Sequence, residues 1–298
     1  MRSLSAAILI VGASGLVGRA LLREFNPHCP TIGTFCRQEA PGLVHLDLRD
    51  PDEVRFLLRR LRPEAVLCPA AEPNVEVCEI DPEGTRQVNV EGLANLIEAT
   101  AELGAFLVYF STEYVFDGTQ GPYSENDACN PLNEYGRQKL DCERMIATKL
   151  SKHIIGRISG VYDWERQKKN FVARLIACLA SGQPLRVPSD QMITPTYAPN
   201  LARVVRELVQ SRQQGLFHLA GSVPLLRTEF ARLVASIFEL DASLIVPVPT
   251  SQLGLRAARP RSAGLKVGKA QALLDFPLAG PREGLEAMRE LQSLQARD

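Results

Sequence analysis

The sequence predicts an α/β protein with a doubly wound parallel sheet and a smaller C-terminal α+β lobe. Short, continuous apolar runs, typical of strands buried on both faces, alternate repeatedly with segments of helical periodicity. Several of these runs end in glycine, alanine or hydroxyl-bearing residues, at the edge where open α/β sheets bind ligands. After about residue 182 the strand-like pieces become shorter and alternate with helices less regularly. This change of pattern predicts a mixed second lobe.

The first predicted strand, residues 7–11, ends in a turn of the form G-x-x-G-x-x-G. In such a turn Gly12 permits the sharp bend, Gly15 lets the backbone approach a pyrophosphate, and Gly18 allows close packing of the next helix. A strand, a glycine turn and a helix in this order favour dinucleotide binding over a purely structural turn. The cofactor-binding residues predicted here are Gly12, Ser14, Gly15, Leu16, Val17 and Gly18.

The second predicted strand, residues 31–36, ends at Arg37. The residue after this strand usually meets the adenosine ribose, where an acid accepts from a 2′-hydroxyl and an arginine pairs with a 2′-phosphate. No acid stands at this strand end. We therefore expect NADPH, with NADH as the alternative cofactor and a merely exposed Arg37 as the alternative interpretation.

Two more strands follow before the middle of the chain. Residues 43–48 form the third, and the motif at residues 50–53 predicts the start of a helix with an acidic N-cap and a proline in its first turn. Residues 65–68 form the fourth strand, which leads to the small residues Ala70 and Ala71. A long helix is expected from residue 82 to about residue 103.

The fifth strand, residues 105–110, leads directly to Ser111 and Thr112. Tyr135 and Lys139 are four residues apart in a predicted helix, so both lie on one face. A hydroxyl, a phenol and an ammonium are the groups needed to polarise and protonate a carbonyl during hydride transfer, and the ammonium is expected to lower the pKa of the phenol. Taken alone, the Tyr-x-x-x-Lys pair also fits an exposed helix surface; its position after the glycine turn favours catalysis.

These motifs divide the chain into two parts. We predict a Rossmann-type dinucleotide-binding domain over residues 1–160 and a substrate-binding lobe over residues 161–298. Segments near residues 190–222 are expected to pack back on the first domain. No Gly/Ser-rich linker separates the parts, so they are expected to share an interface.

Composition excludes several classes of function. Lys plus Arg equals Asp plus Glu, 34 each, so no overall charge favours nucleic acid, and no apolar run approaches the length of a membrane span. The seven cysteines are scattered without a C-x-x-C pair, which favours a reduced cytoplasm. The four histidines lack ligand-like spacing, so no metal site is expected. The first five residues run straight into a strand and are not expected to be a signal peptide.

The linked motifs resemble the extended short-chain dehydrogenase/reductase family, and more narrowly its dTDP-4-dehydrorhamnose reductase-like branch. The segments that carry the resemblance are residues 12–18, 111–118, 131–140, 190–197 and 258–262. The resemblance implies NADPH-dependent reduction of the C4 keto group of a nucleotide-activated deoxysugar. It also implies that Tyr135 is the general acid, that Lys139 holds the nicotinamide ribose and lowers the pKa of Tyr135, and that Thr112 hydrogen-bonds the carbonyl.

The same resemblance implies the remaining roles. The glycine turn would seat the pyrophosphate, Arg37 the 2′-phosphate, and Asp47 with Leu48 the adenine, while Ala70 and Ala71 line the cofactor cleft. The substrate-binding residues would be Val75, Ser111, Tyr114, Thr196 and Arg259. The expected partner is a small nucleotide-sugar substrate, with a homodimer as the assembly to test.

Three departures from the reductase pattern concern the substrate. Glu113 stands where the reductases usually carry Asp, Gly160 where they carry Trp, and residues 72–77 lack the usual lysine. Glu72, Val75, Glu79 and strand residues 106–109 resemble instead the regulatory beta subunit of methionine adenosyltransferase. A non-catalytic NADP-binding regulatory subunit is therefore an alternative, and a reductase of a non-nucleotide ketone is another.

Overall fold

The computed structural model describes residues 7–165 and 167–295, so the expectation for the first five residues lies outside the described part. The strands are β1 Ile8–Ile10, β2 Thr31–Phe35, β3 Val44–His45, β4 Ala65–Cys68, β5 Phe106–Thr112, β6 His153–Ile158, β7 Val161–Tyr162, β8 Leu185–Pro188, β9 Met192–Ile193, β10 Thr196–Tyr197, β11 Gly215–His218, β12 Leu225–Leu226 and β13 Ile245–Val248. The helices are α1 Leu16–Phe25, α2 Pro51–Leu61, α3 Val75–Ile80, α4 Pro82–Arg86, α5 Gly92–Leu103, α6 Glu134–Lys149, α7 Phe171–Ala180, α8 Ala198–Gln210, α9 Arg227–Ile237, α10 Gly268–Gln271 and α11 Pro281–Gln295.

Within these residues, seven parallel strands form the central sheet in the order β11-β6-β5-β4-β1-β2-β3. Strand β1 lies between β4 and β2, with Ile8 opposite Ala65 on one side and Thr31 on the other. The chain order reverses between β1 and β4, which brings the carboxyl ends of these two strands to a shared crevice. The predicted fold class is confirmed.

Helices cover both faces of the sheet. Alternating side chains of β1 enter different layers: Ile8 and Ile10 pack in the cluster that contains α1 and α8, whereas Leu9 packs with α2, α5 and α6. All three side chains are fully buried. A strand with two buried faces explains the continuous apolar run in the sequence, because neither face can carry polar residues.

One predicted helix is interrupted. The expected helix from residue 82 to 103 comprises α4, a π-helical segment at Gln87–Glu91, and α5. Asn89 lies in this segment, and its side chain bonds both the backbone of Glu72 and the side chain of Gln138. The π turn thus directs a buried amide towards α6 and towards the loop after β4.

The later part of the chain contributes to two layers. Strand β11 pairs with β6 at the sheet edge, and α8 packs on α1. A separate core joins α7, α9 and α11, with Leu175, Phe230 and Leu285 fully or almost fully buried. Three short strand pairs, β10–β7, β12–β9 and β13–β8, accompany it. The domain boundary at residue 160 stays a prediction.

No helix in the described ranges combines the length and hydrophobicity needed to cross a membrane. Nor do His, Cys, Asp or Glu side chains in those ranges gather in groups of three suited to a metal ion.

Candidate active site

The glycine turn after β1 is shaped by two positions at which a side chain could not fit. Gly12 has a φ of +88°, and a Cβ there would lie 2.9 Å from the Cα of Ala70. A Cβ on Gly18 would lie 2.2 Å from the carbonyl oxygen of Gly12. The amide of Gly15 donates to that same oxygen at 3.1 Å, which closes the turn.

The N-terminus of α1 is open to an anion. Gly15 is its N-cap and provides no side-chain cap, so the first amides of this ten-residue helix are left for another acceptor. Ser14, Leu16 and Val17 are partly buried around the turn, and the Ser14 carbonyl accepts from the Nη1 atom of Arg19 at 2.9 Å. The cradle and the helix end suit a pyrophosphate.

The residues predicted to meet the adenosine lie after the neighbouring strands. The Arg37 side chain is 71% exposed and contacts Glu72 at 3.3 Å. Asp47 is paired with Arg49 at 2.6 Å, and the hydrogen bond from Arg49 lowers the pKa of the Asp47 carboxyl. Leu48 is buried nearby.

The adenosine end of the site is therefore bordered by two cationic side chains, Arg37 and Arg49, and by the loop that contains Ala70 and Ala71. Arg49 was not predicted from the sequence, because the residue before a helix N-cap belongs to no motif. Ala70 and Ala71 follow β4, and the Ala70 amide donates to Val11 at 3.1 Å. The glycine cradle, the helix end and the exposed Arg37 together fit a dinucleotide with a 2′-phosphate.

The structure brings Thr112, Tyr135 and Lys139 to the carboxyl end of β5. Lys139 is 3% exposed, and its Nζ atom donates to the carbonyl of Phe110 at 2.9 Å. The same Nζ lies 5.9 Å from the centroid of the Tyr135 ring. The hydroxyl oxygen of Thr112 accepts from the Tyr114 amide at 3.2 Å, which fixes the strand end. A hydroxyl, a phenol and an amine thus border one space.

Burial dominates the acid–base properties of this group. It raises the pKa of Tyr135 well above its usual value and lowers that of Lys139. Loss of solvation is the largest cause of the raised pKa of Tyr135. That the charge of Lys139 lowers this pKa stays a prediction. A raised pKa keeps the phenol protonated at neutral pH, as a proton donor requires.

Of the predicted substrate-binding residues, Tyr114 lies beside Tyr135, and Arg259 lies next to Tyr114. The Tyr114 ring meets the Tyr135 ring edge-on, with centroids 6.3 Å apart. The Arg259 guanidinium lies 5.8 Å from the Tyr114 centroid and pairs with Glu76 at 2.8 Å. Val75, half-buried, precedes Glu76 at the start of α3.

The structure does not bring Ser111 and Thr196 to this space. Successive side chains of a strand point to opposite faces, so the Ser111 hydroxyl turns away from Thr112 and bonds Glu143. The Thr196 hydroxyl is 2% exposed and donates to the carbonyl of Ser159 at 2.6 Å. Each hydroxyl is used inside the fold, and the substrate contacts expected of both stay predictions.

Besides Arg49, Glu113 and Arg227 were not assigned a role from the sequence. Glu113, directly after Thr112, is only 4% exposed, and burial raises the pKa of its carboxyl. Arg227 begins α9, far along the chain, and its charge partly offsets that rise in the pKa of Glu113. No sequence signal links the two, because their proximity depends on how the C-terminal lobe packs.

A family model described as the RmlD substrate binding domain matches residues 6–293. The chain belongs to this family. The motifs resemble those of dTDP-4-dehydrorhamnose reductases and of the methionine adenosyltransferase beta subunit. Sequence relatives of both kinds confirm this resemblance.

Among the relatives of this RmlD-domain protein is the mouse methionine adenosyltransferase 2 subunit beta. It is 33% identical over 277 residues, which cover 90% of this chain and 83% of the relative. The dTDP-4-dehydrorhamnose reductase of Salmonella typhimurium is 30% identical over 298 residues, covering 94% and 96% of the two chains.

Solved structures of related proteins are also similar to this chain. The crystal structure of a dTDP-4-dehydrorhamnose reductase from Bacillus anthracis in complex with NADP has a TM-score of 0.89, with 26% identity, and covers 97% of this chain and 100% of that one. A Thermus thermophilus UDP-glucose 4-epimerase complexed with NAD has a TM-score of 0.82 at 21% identity, covering 95% and 98%, and is similar in fold.

Proposed function

We propose that this protein is an NADPH-dependent oxidoreductase that reduces the C4 keto group of a nucleotide-activated deoxysugar, as in the dTDP-4-dehydrorhamnose reductase branch of its family. The observation that supports this most directly is the grouping of Thr112, Tyr135 and Lys139 at the end of β5, on the same sheet edge as the glycine turn. The NADP complex of the Bacillus anthracis relative supports the choice of cofactor.

The residues divide the work as follows. The glycine turn and the N-terminus of α1 bind the pyrophosphate, and Arg37 binds the 2′-phosphate. When bound, NADPH supplies the hydride that the carbonyl carbon accepts. Thr112 donates a hydrogen bond to the carbonyl oxygen, which gains negative charge as the bond is reduced. Tyr135 gives its phenolic proton to that oxygen, leaving a hydroxyl group.

Lys139 supports this transfer through its charge. As Tyr135 loses its proton, the phenolate that forms in a buried site needs a nearby cation, because burial disfavours the charged form. The Lys139 ammonium, held by the Phe110 carbonyl, is in position to stabilise it.

The test is spectrophotometric. Addition of a dTDP-4-keto-6-deoxysugar lowers NADPH absorbance in the wild-type protein, and Tyr135→Phe reduces kcat by about 100-fold or more, the range expected for a lost general acid. Tyr162→Phe is the matched control, since Tyr162 is buried in the C-terminal lobe and bonds only the Pro281 carbonyl among the described contacts. Equal rates for wild type and Tyr135→Phe would remove the assigned role of Tyr135.

A second candidate is a regulatory subunit that binds NADPH with little turnover. The 33% identity with the mouse methionine adenosyltransferase subunit favours it. NADPH binding without oxidation across a panel of nucleotide sugars, together with co-purification of an adenosyltransferase, would support this candidate against the reductase.

A reductase of a non-nucleotide ketone is the third candidate. Its test is competition: inhibition by free dTDP or UDP contradicts it. A homodimeric assembly and a cytoplasmic location stay predictions.

A further inference from the structure

Glu76 uses both of its carboxylate oxygens to hold a distant segment of the chain. Its Oε1 atom accepts from the Nη2 atom of Arg259 at 2.8 Å, and its Oε2 atom accepts from the backbone amide of Arg256 at 2.9 Å. Glu76 lies in the first turn of α3, and these partners lie 180 and 183 residues further along the chain. One carboxylate therefore fixes both the backbone of this segment and the direction of the Arg259 side chain.

The Arg259 side chain is directed towards the candidate active site. Its guanidinium carbon lies 5.8 Å from the centroid of the Tyr114 ring, and that ring meets the Tyr135 ring edge-on with centroids 6.3 Å apart. The side chain of Arg259 is 11% exposed and that of Glu76 is 29% exposed. The guanidinium is thus held, largely shielded from water, one aromatic ring away from the phenol of Tyr135.

The same segment is fastened independently to the helix that carries Tyr135. The Nδ2 atom of Asn133 donates to the carbonyl of Ala258 at 2.8 Å. The Oδ1 atom of Asn133 accepts from the Gly136 amide at 2.9 Å, which caps the start of α6. Loss of the Glu76 carboxylate therefore frees the Arg259 side chain while a second tie still holds the segment against α6.

A fixed guanidinium is better prepared to bind a ligand than a free one. A guanidinium carries five N–H donors. Within the part of the chain that the structure describes, hydrogen bonds to Glu76 and Ala257 use two of those of Arg259, and the others are left for a ligand. Ordering a long side chain costs free energy on binding, and this cost is avoided when the folded protein has already ordered it.

We propose that Glu76 is a positioning residue, which orients the Arg259 guanidinium beside Tyr114 so that this side chain is already ordered when the nucleotide sugar binds. This inference rests on the proposed function, since that function places the nucleotide sugar beside Tyr114 and Tyr135. Glu76 acts through Arg259 and not by touching the substrate. The determinant is formed by two distant parts of the chain, the start of α3 and the segment before residue 260.

The kinetic test separates binding from the chemical step. In Glu76→Gln the amide nitrogen cannot accept a hydrogen bond, so one of the two contacts is lost at nearly constant volume. KM for a dTDP-4-keto-6-deoxysugar is expected to rise by about five- to tenfold, the effect of ordering one long side chain on binding. We expect kcat and the KM for NADPH to stay within about twofold. Glu76→Asp, which keeps the carboxylate on a shorter side chain, is expected to fall between wild type and Glu76→Gln.

A double-mutant cycle tests whether Glu76 acts through Arg259. In an Arg259→Gln background, Glu76→Gln is expected to change KM by less than about twofold, because there is no guanidinium left to orient. A purely structural role of Glu76 would add its full effect in both backgrounds. The control is Glu83→Gln at an exposed position of the next helix, α4, and it is expected to match wild type. Thermal unfolding establishes that each variant is folded at the assay temperature.

Calorimetry provides a measurement that does not depend on turnover. Titration of the NADPH-saturated protein with dTDP-glucose and UDP-glucose measures Kd, and Glu76→Gln is expected to weaken binding of the preferred nucleotide sugar by about five- to tenfold. The sign is informative. Removal of a negative charge beside Arg259 would by itself strengthen the attraction for an anionic ligand, so weaker binding reports lost orientation.

The outcomes distinguish the positioning role from the reaction. If Glu76→Gln leaves KM and Kd unchanged or lowers them, or if its effect persists in the Arg259→Gln background, the positioning role is overturned while the reductase activity stands. If Kd weakens as expected but wild type oxidises no NADPH with keto sugars, the positioning role stands and the reductase activity is overturned. Wild type that binds neither nucleotide sugar overturns both.

Discussion

Ser111 and Thr112 show how much depends on single residues at the end of β5. The two hydroxyls are adjacent in sequence, and only one of them borders the candidate active site. Strand alternation sends Ser111 to Glu143 on the opposite face. The Ser-Thr motif predicts where the strand ends. Which of the two hydroxyls faces the site can be assigned only when the packing of α6 on the sheet is known.

Gly18 is the residue at which one added methyl group has the clearest consequence. A Cβ there would lie 2.2 Å from the Gly12 oxygen and 2.6 Å from the Cα of Ala13, so the backbone would have to move. We expect Gly18→Ala to lower the free energy of unfolding by about 1–3 kcal/mol, the usual cost of overpacking, and to weaken NADPH binding. Urea unfolding and a fluorescence titration with NADPH measure the two effects.

Gly268→Ala is the control for this substitution. Gly268 lies in the first turn of α10, as Gly18 lies in the first turn of α1, but a Cβ on Gly268 meets no atom within 4 Å. Its unfolding free energy is expected to stay within about 0.5 kcal/mol of wild type. A Gly18→Ala protein as stable as the Gly268→Ala protein would contradict the steric argument.

Helix α6 joins the catalytic residues to the interior of the sheet. Tyr135, Lys139 and Glu143 follow one another at intervals of four residues, so they share one face. Glu143 bonds Ser111 of β5 and pairs with Arg157 of β6 at 2.7 Å. The helix that carries the phenol and the amine is thereby tied to both neighbouring strands.

Glu143→Gln tests this link. The Glu143 and Arg157 side chains are 7% and 4% exposed, so the substitution leaves a buried guanidinium without its counter-ion. We expect the free energy of unfolding to fall by about 3–5 kcal/mol. Glu286→Gln breaks an exposed pair with Arg282 and is expected to cost about 0.5 kcal/mol or less. Urea unfolding of the two variants measures the loss in free energy of unfolding. Equal losses for Glu143→Gln and Glu286→Gln would contradict the argument that the buried pair contributes more than the exposed one.

The elements themselves were largely predictable. Continuous apolar runs revealed the central strands because a two-sided buried strand has no polar positions, and the acid at residue 50 does cap α2. The π segment around Asn89 was missed, since a one-residue change of helical pitch leaves no mark on apolar periodicity. It is fixed by the bonds that Asn89 makes to Glu72 and Gln138, which lie elsewhere in the chain.

At the scale of the whole molecule, contacts between the lobes are what the sequence could not provide. Tyr135 and Lys139 are revealed by their spacing within one helix, whereas the effect of the Arg227 charge on the pKa of Glu113 joins two distant segments. The hydroxyls of Ser111 and Thr196 likewise find their hydrogen-bond partners in other segments of the chain. Local pattern therefore identifies residues that are close in sequence, such as the glycine turn and the Tyr135–Lys139 pair, but not contacts between distant segments.

His218 joins three distant parts of the chain. It ends β11, its amide donates to Glu125 at 2.9 Å, and its Nδ1 atom lies 3.1 Å from the Lys266 carbonyl. The ring is fully buried against Phe116. Burial is the largest cause that lowers the pKa of His218 to about 4; the charge of Arg157 also lowers it, and that of Glu125 opposes the shift.

This shift predicts how global stability depends on pH. Below its ordinary pKa of about 6.5, His218 takes up a proton in the unfolded chain but not in the folded protein. Protonation then favours unfolding, so the contribution of His218 to stability is complete above about pH 6.5 and is lost as the pH falls towards 4. His218→Gln, which cannot gain the charge, is expected to lose less stability than wild type over this interval. Urea unfolding at half-unit pH steps measures how the free energy of unfolding of wild type and of His218→Gln changes with pH. His28→Gln, at an exposed position, is the control. If the free energies of wild type and His218→Gln change in parallel with pH, another group governs acid unfolding.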